Sequence, residues 1–218
     1  MLDLDFDRRY AEKYGVICGL DEAGRGPLAG PVAAGACILA PGAVIEGLDD
    51  SKKLSEKKRD ELYDRITSSA LAWAVGLASE REIDEINILN ASLLAMRRAV
   101  EALPVRPDFL LIDGNQKKGF DLPCEAVVKG DGKSQSIAAA SVLAKVTRDR
   151  LCADLDREYP QYGFARHKGY PTKDHMLAVY VWGPSPVHRK SFLGFLDRDR
   201  EKLRAAAEAA GLPLPDGE

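Results

Sequence analysis

The chain of 218 residues has no run approaching 18 apolar residues, which excludes a helical membrane span. It has no excess of positive charge: 31 Lys and Arg stand against 34 Asp and Glu, a formal net charge of −3, so there is no global electrostatic signature of nucleic-acid binding. Cysteine is scarce and scattered. Cys18, Cys37, Cys124 and Cys152 form no C-x-x-C pair, and with only His167, His175 and His188 beside them neither a zinc site nor a disulfide framework is expected. The acidic and basic start, with Asp3, Asp5, Asp7, Arg8 and Arg9, lacks the apolar stretch of a secretory signal, so the expected location is the cytoplasm. Repeats and low-complexity segments are absent. Gly132-Lys133-Ser134 is similar to the end of a P-loop, but the first glycine of that motif would fall on Val127, which excludes a nucleotide-triphosphate site.

The remaining composition, 45% hydrophobic, is that of a globular chain with a sizeable core. Short apolar runs at 14–20 (YGVICGL), 31–39 (PVAAGACIL) and 71–78 (LAWAVGLA) predict buried strands. Two shorter ones follow at 109–112 (FLLI) and 125–128 (EAVV). Leu89, Leu93, Met96, Val100 and Leu103 recur at helical spacing and predict an amphipathic helix over 86–103. A long helix is predicted over 136–158, with Ser136 as its N-cap and Ile137, Val142, Leu143, Val146, Leu151 and Leu155 on one face. Two prolines and an acidic end predict fraying from Gly211 onward. Strands first and helices interspersed give an α/β layered domain with a helical C-terminal portion.

Three of the strands run into acids: Leu20 into Asp21 and Glu22, Ile112 into Asp113, and Val128 into Asp131 just past Lys129. Neighbouring strands would bring four carboxylates to one edge of the sheet. Alone they would repel one another, and an all-oxygen set of this kind suits Mg²⁺ or Mn²⁺. Each acid can equally be a turn former. Strand geometry also sends Asp21 and Glu22 to opposite faces, so a shared site requires the strand to bend or end there. Gly24-Arg25-Gly26 allows close backbone approach by a ligand, with Arg25 in reach of a phosphate, though a tight turn before Pro27 is the plainer reading. The stretch from Tyr162 to Thr172 interleaves basic and aromatic residues. Tyr170, between Gly169 and Pro171, reads as a presented side chain, and Phe164 and Tyr162 read as core.

Together these segments resemble prokaryotic ribonuclease HII. The motifs are GLDEAGRGPLAGPV at 19–32, DDSKKLS at 49–55, IDGN at 112–115, KGDGKSQSIAAASVLAKVTRDR at 129–150, YGFARHKGYPTKDH at 162–175 and HRKSF at 188–192, in order and with ordinary spacing from about 14 to 195. The resemblance implies an α/β fold, a ribonuclease H-like mixed sheet flanked by helices with a small C-terminal helical region. The catalytic domain would span 1–195, with its helical portion from about 160, and 196–218 would form a C-terminal helix and tail.

It also implies an endonuclease that hydrolyses the RNA strand of RNA/DNA hybrids and cuts 5′ of single ribonucleotides in duplex DNA. Asp21, Glu22, Asp113 and Asp131 would be the catalytic, metal-binding quartet for two divalent ions, Mg²⁺ or Mn²⁺. One ion would activate water and the other would stabilise the leaving 3′ oxygen. Gly24, Arg25 and Gly26 would contact the ribose 2′-OH and the adjacent phosphate, and Tyr170 would stack on the next sugar. Lys52, Lys53, Lys145, Arg148, Lys168 and Arg189 would contact the nucleic-acid backbone. A monomer is expected, acting in ribonucleotide removal during replication and repair. The sister group, ribonuclease HIII, typically has a further N-terminal domain and a lysine where this chain has Arg25. A scaffold that binds without catalysis, and a phosphatase of small phosphoesters, are the rival classes. The first would gain nothing from clustered carboxylates beside phosphate, and the second would not need Tyr170.

Overall fold

The computed structural model describes residues 3–48 and 54–215. Five strands form one mixed sheet: β1 (Ile17–Ala23), β2 (Val32–Ile38), β3 (Ala72–Ala78), β4 (Phe109–Asp113) and β5 (Cys124–Val127), in the order β3-β2-β1-β4-β5. β1, β2 and β3 are antiparallel neighbours, whereas β4 runs parallel to both β1 and β5. The chain folds as an α/β layered domain.

Among the described residues eight helices surround the sheet: α1 (Leu4–Tyr14), α2 (Glu56–Ser69), α3 (Glu80–Glu101), α4 (Gln135–Glu158), α5 (Phe164–His167), α6 (Lys173–Trp182), α7 (Phe195–Arg198) and α8 (Arg200–Ala209). α3 covers one face, where Cys18, Leu20, Leu110 and Ile112 pack with Ala91, Ala95, Met96 and Ala99. α4 covers the other, and small residues let it approach closely. A Cβ on Gly19 would lie 2.1 Å from the Ser136 carbonyl carbon, and one on Gly35 would lie 2.2 Å from Ala140 O, so glycine is obligatory at both contacts. Among the described residues no helix is long and apolar enough to cross a membrane.

Several sequence expectations shift. β1 runs on through Asp21, Glu22 and Ala23, because Glu22 and Ala23 pair with Ala34 and Ala33 of β2. α3 begins six residues before the apolar periodicity, at a capping box in which Ser79 and Glu82 satisfy each other's backbone N–H groups. Inside it Asn87 leaves helical geometry (φ 66, ψ 164), and its side chain caps the Leu89 and Asn90 N–H groups. α4 is capped by Ser134, not Ser136. The Ser136 N–H is bound by Asp7 of α1, a helix that the periodicity of the core did not reveal. Beyond α8 the chain stays docked through 215: Leu212 and Leu214 pack on the C-terminal cluster of Tyr162, Phe164, Val179 and Leu203.

Candidate active site

β1, β4 and β5 are adjacent and parallel, so their C-terminal ends lie at the same edge of the sheet. The pleat directs Asp21 to the same face as Ile17 and Gly19, toward α4, and directs Asp113 to the face of Phe109 and Leu111. Asp131 reaches them from a 3-10 turn, Gly130–Gly132, that links β5 to α4. This turn is tight. Lys129 enters it in the left-handed region (φ 55), and the Gly130 N–H donates to Asp113 Oδ1 at 2.6 Å. Any side chain at Gly130 would meet Ile137 at 2.6 Å.

One carboxylate oxygen from each of Asp21, Asp113 and Asp131 lies within 4.8 Å of the other two. Asp21 and Asp131 are buried. Burial first, then repulsion from Glu22 and Asp113, hold the Asp21 carboxyl well above the usual carboxylate range, although the Glu22 N–H bonded to its Oδ1 at 2.7 Å pulls the other way.

Glu22 is placed differently. It points to the α3 face, accepts from Arg25 Nη1 at 3.2 Å, and lines a cleft of about 30 Å³ with Arg25, Ser92, Asp113, Asn115 and Gln116. Three of the four sequence-derived acids therefore meet, and Glu22 flanks them across the strand. The strand need not end between Asp21 and Glu22, because Asp113 at the end of β4 borders both sides of the edge.

The loop 24–31 forms the next wall. Arg25 and Gly26 are exposed at its tip, and Gly24 is buried with φ +99. Tyr170 is 44% exposed and faces Gly26, where a Cβ would sit 3.4 Å from its ring. The turn carrying Tyr170 is pinned to the loop by the Leu28 N–H bond to Gly169 O at 2.8 Å.

The basic residues divide into three groups. Lys145 pairs with Asp149 at 2.6 Å and Lys168 with Glu56 at 3.5 Å; Asp149, Lys168 and Glu56 line a groove of about 270 Å³ together with Arg59 and Arg150. Lys52 and Lys53 lie outside the described residues. Arg148 and Arg189 correct the sequence reading: both are fully buried, and their guanidinium groups donate to main-chain carbonyls inside the protein, so neither can reach a nucleic-acid backbone. A basic residue in a motif signals charge but not direction, and only the fold shows that these two point inward.

The profile of the ribonuclease HII family matches residues 18–194. The chain belongs to the ribonuclease HII family. Ribonuclease HII of Dechloromonas aromatica (strain RCB) is 61% identical over 178 residues, covering 82% of this chain and 91% of that protein. Ribonuclease HII of Clostridioides difficile (strain 630) is 53% identical over 184 residues, covering 84% and 72% respectively. The crystal structure of ribonuclease H2 from Pyrococcus horikoshii OT3 is similar with a TM-score of 0.70 at 27% identity, over 87% of this chain and 99% of that one. The mixed sheet flanked by helices is thus the fold of its structural neighbours, and membership of the ribonuclease HII family makes the chain an enzyme, a hydrolase of the nuclease class.

Composition treated the histidines only as absent zinc ligands, and so missed what they do. All three are buried beneath Tyr170. The Ser185 N–H donates to His188 Nδ1 at 3.0 Å, so in the neutral ring the His188 proton sits on Nε2 and is donated to His175 Nε2 at 3.1 Å. His175 then carries its own proton on Nδ1, which is donated to Tyr170 O at 2.9 Å. A second proton on either ring would set N–H against N–H.

Burial accordingly pushes His175 and His188 down to about 4. The folded-state value is below the unfolded one, so this stability is present above about pH 6.5 and is lost as pH falls toward 4. The expected loss is on the order of 3 kcal/mol per imidazole. Urea midpoints at pH 7 and pH 5 check it: wild type should lose more stability than His188→Asn over that range, and equal losses would contradict the relay.

Proposed function

We propose that the protein hydrolyses the RNA strand of RNA/DNA hybrids and incises duplex DNA on the 5′ side of single embedded ribonucleotides. Its role would be ribonucleotide removal during DNA replication and repair in the cytoplasm. The observation that carries this reading is the convergence of Asp21, Asp113 and Asp131 at one sheet edge. Tyr170 and the exposed Arg25 and Gly26 stand on the wall above it.

The residues fit divalent ions. Hard carboxylate oxygens suit Mg²⁺ or Mn²⁺, and burial and the neighbouring carboxylates make the charged form of Asp21 costly, a cost that a cation beside it would offset. Asp21, Asp113 and Asp131 would hold such ions, two in number, with Glu22 on the flank. When bound, the metal supplies Lewis acidity toward the phosphate and makes a water molecule easier to deprotonate. The chain does the rest. The carboxylates fix the cations at the strand ends, and Gly130 locks Asp113 in place. Arg25 presents a half-exposed guanidinium to the phosphate. The backbone of 24–26 contacts the ribose 2′-OH, and the Tyr170 ring stacks on the sugar that follows. Lys168 and Lys145 would contact the nucleic-acid backbone.

The reaction should leave 5′-phosphate and 3′-hydroxyl ends. A labelled RNA/DNA hybrid should be cut with Mg²⁺ or Mn²⁺ and left intact in excess EDTA. Products ending in 3′-phosphate, or undiminished cutting in EDTA, would overturn the metal mechanism. Tyr170 supplies a separate test. Stacking is worth roughly 1–3 kcal/mol per base, so Tyr170→Ala should lose about tenfold or more on a single-ribonucleotide duplex, and Tyr170→Phe, which keeps the ring, should lose less. Equal rates for Ala and wild type would leave the ring with no part in recognition.

A further inference from the structure

Arg189 is a fully buried cation at the base of the loop 24–31. Its Nη2 donates to Gly24 O and Gly30 O, both at 2.7 Å, its Nη1 to Arg25 O at 3.1 Å, and its Nε to Gly30 O at 2.9 Å. The negative charges of Glu80 and Asp84, near the start of α3, favour its charged form. Arg148 braces the same loop from α4, donating to Ala29 O, Pro31 O and Lys168 O. A buried guanidinium with five fixed donors is tolerated only when carbonyls or carboxylates surround it, and here the carbonyls are those of the loop itself.

The consequence follows from the peptide unit. In a trans peptide the C=O of one residue and the N–H of the next point in opposite directions. With the Gly24 and Arg25 carbonyls drawn inward to Arg189, the Arg25 and Gly26 N–H groups are turned away from it, toward the exposed tip beside Tyr170. Among the described residues neither N–H has a protein acceptor, whereas the Leu28 and Gly30 N–H groups are bonded within the fold.

We propose that Arg189 is the positioning residue for substrate recognition: it holds the Arg25 and Gly26 N–H groups outward as a paired donor site for ribonucleotide oxygens. This rests on the reading of the loop as the ribose-recognition wall. Lysine in its place keeps the charge but loses the planar fork that binds three carbonyls at once, so the amides would no longer be fixed in one direction.

The test compares Arg189→Lys, Gly26→Ala and wild type on a duplex with one ribonucleotide, with Mn²⁺ affinity measured by titration calorimetry in parallel. Arg189→Lys should lose roughly 10²-fold in kcat/KM, the scale of a misplacement of about 1 Å, with Mn²⁺ affinity unchanged. Free guanidinium ion should restore part of the activity of Arg189→Ala and none of Gly26→Ala. Wild-type activity in Arg189→Lys with a defective Gly26→Ala would overturn the positioning role alone. Wild-type activity in both would overturn the recognition wall as well. If the arginine variants do not fold, amide exchange in the wild type decides: Arg25 and Gly26 N–H groups should exchange freely in the free protein and become protected on adding the duplex. Protection already present in the free protein would show those donors to be taken, and the proposal would be wrong.

Discussion

Asp21→Asn and Asp113→Asn should each lose roughly 10³-fold or more in cleavage rate while remaining folded. Each removes one negative ligand from a three-carboxylate cluster whose oxygens lie within 4.8 Å of one another. Metal stabilisation of a phosphoryl-transfer transition state is worth several kcal/mol, and each 1.36 kcal/mol is about a factor of ten. The same substitution should have the opposite effect on stability without metal. Asp21 is buried and repelled by Glu22, Asp113 and Asp131, so its ionised form is held in the fold at a cost that a neutral amide relieves. In excess EDTA, Asp21→Asn should therefore unfold at a higher temperature than wild type. In a chain of this size about 1 kcal/mol appears as roughly 2–4 °C. Calorimetric scans with and without Mg²⁺ check both signs, since added metal should raise the wild-type transition and leave Asp21→Asn nearly still. Undiminished cleavage by either variant would remove the carboxylate cluster from the chemistry.

The second large effect is expected at Gly26. A Cβ there meets nothing closer than the Tyr170 ring at 3.4 Å, an ordinary contact, so Gly26→Ala should fold normally. The new methyl group would nevertheless stand on the exposed surface where the ribose is proposed to approach the backbone, and a loss of at least about 10²-fold in kcat/KM is expected. Mn²⁺ affinity should be unaffected. Gly24 is not equivalent. A Cβ at Gly24 would lie 2.1 Å from Arg148 Nε, on a backbone with φ +99, so Gly24→Ala disturbs the fold of the loop before it affects any substrate. Circular dichroism and activity together separate the two positions: Gly26→Ala with native structure and native rate would place recognition elsewhere.

Strand content was legible because β1, β2 and β4 are short apolar runs buried on both faces, and the acids at the ends of β1 and β4 marked the sheet edge where Asp21, Asp113 and Asp131 converge. The sequence could not show that β1 continues past Leu20, because that extension is decided by pairing with Ala33 and Ala34 of β2, a tertiary fact. α1 and α2 escaped notice for a related reason. Both are highly charged, with only Leu62 and Ile66 of α2 buried, and their places are set by contacts such as Asp7 to Ser136. The direction of a long side chain was the least legible feature of all. Lys168, Arg148 and Arg189 are equivalent as basic residues in motifs, yet Arg148 and Arg189 spend their donors on the carbonyls of 24–31 and 168. The histidines illustrate the same limit: spacing gave no sign that His175 and His188 form a neutral relay under Tyr170 O, because the ring of one is an acceptor only in the presence of the other.

Two duplexes identical except for one 2′-hydroxyl test the central claim most directly. Phosphates and bases are shared between them, so discrimination must rest on that hydroxyl. A site built to bond it leaves buried or oriented partners unpaired when it is missing, which can reject the deoxy analogue by roughly 10⁴-fold or more. Incubated with Mg²⁺ and resolved on a sequencing gel, the duplex with a single ribonucleotide should be cut once, on its 5′ side, and the all-DNA duplex should remain intact. Cutting of the two at comparable rates would contradict the account.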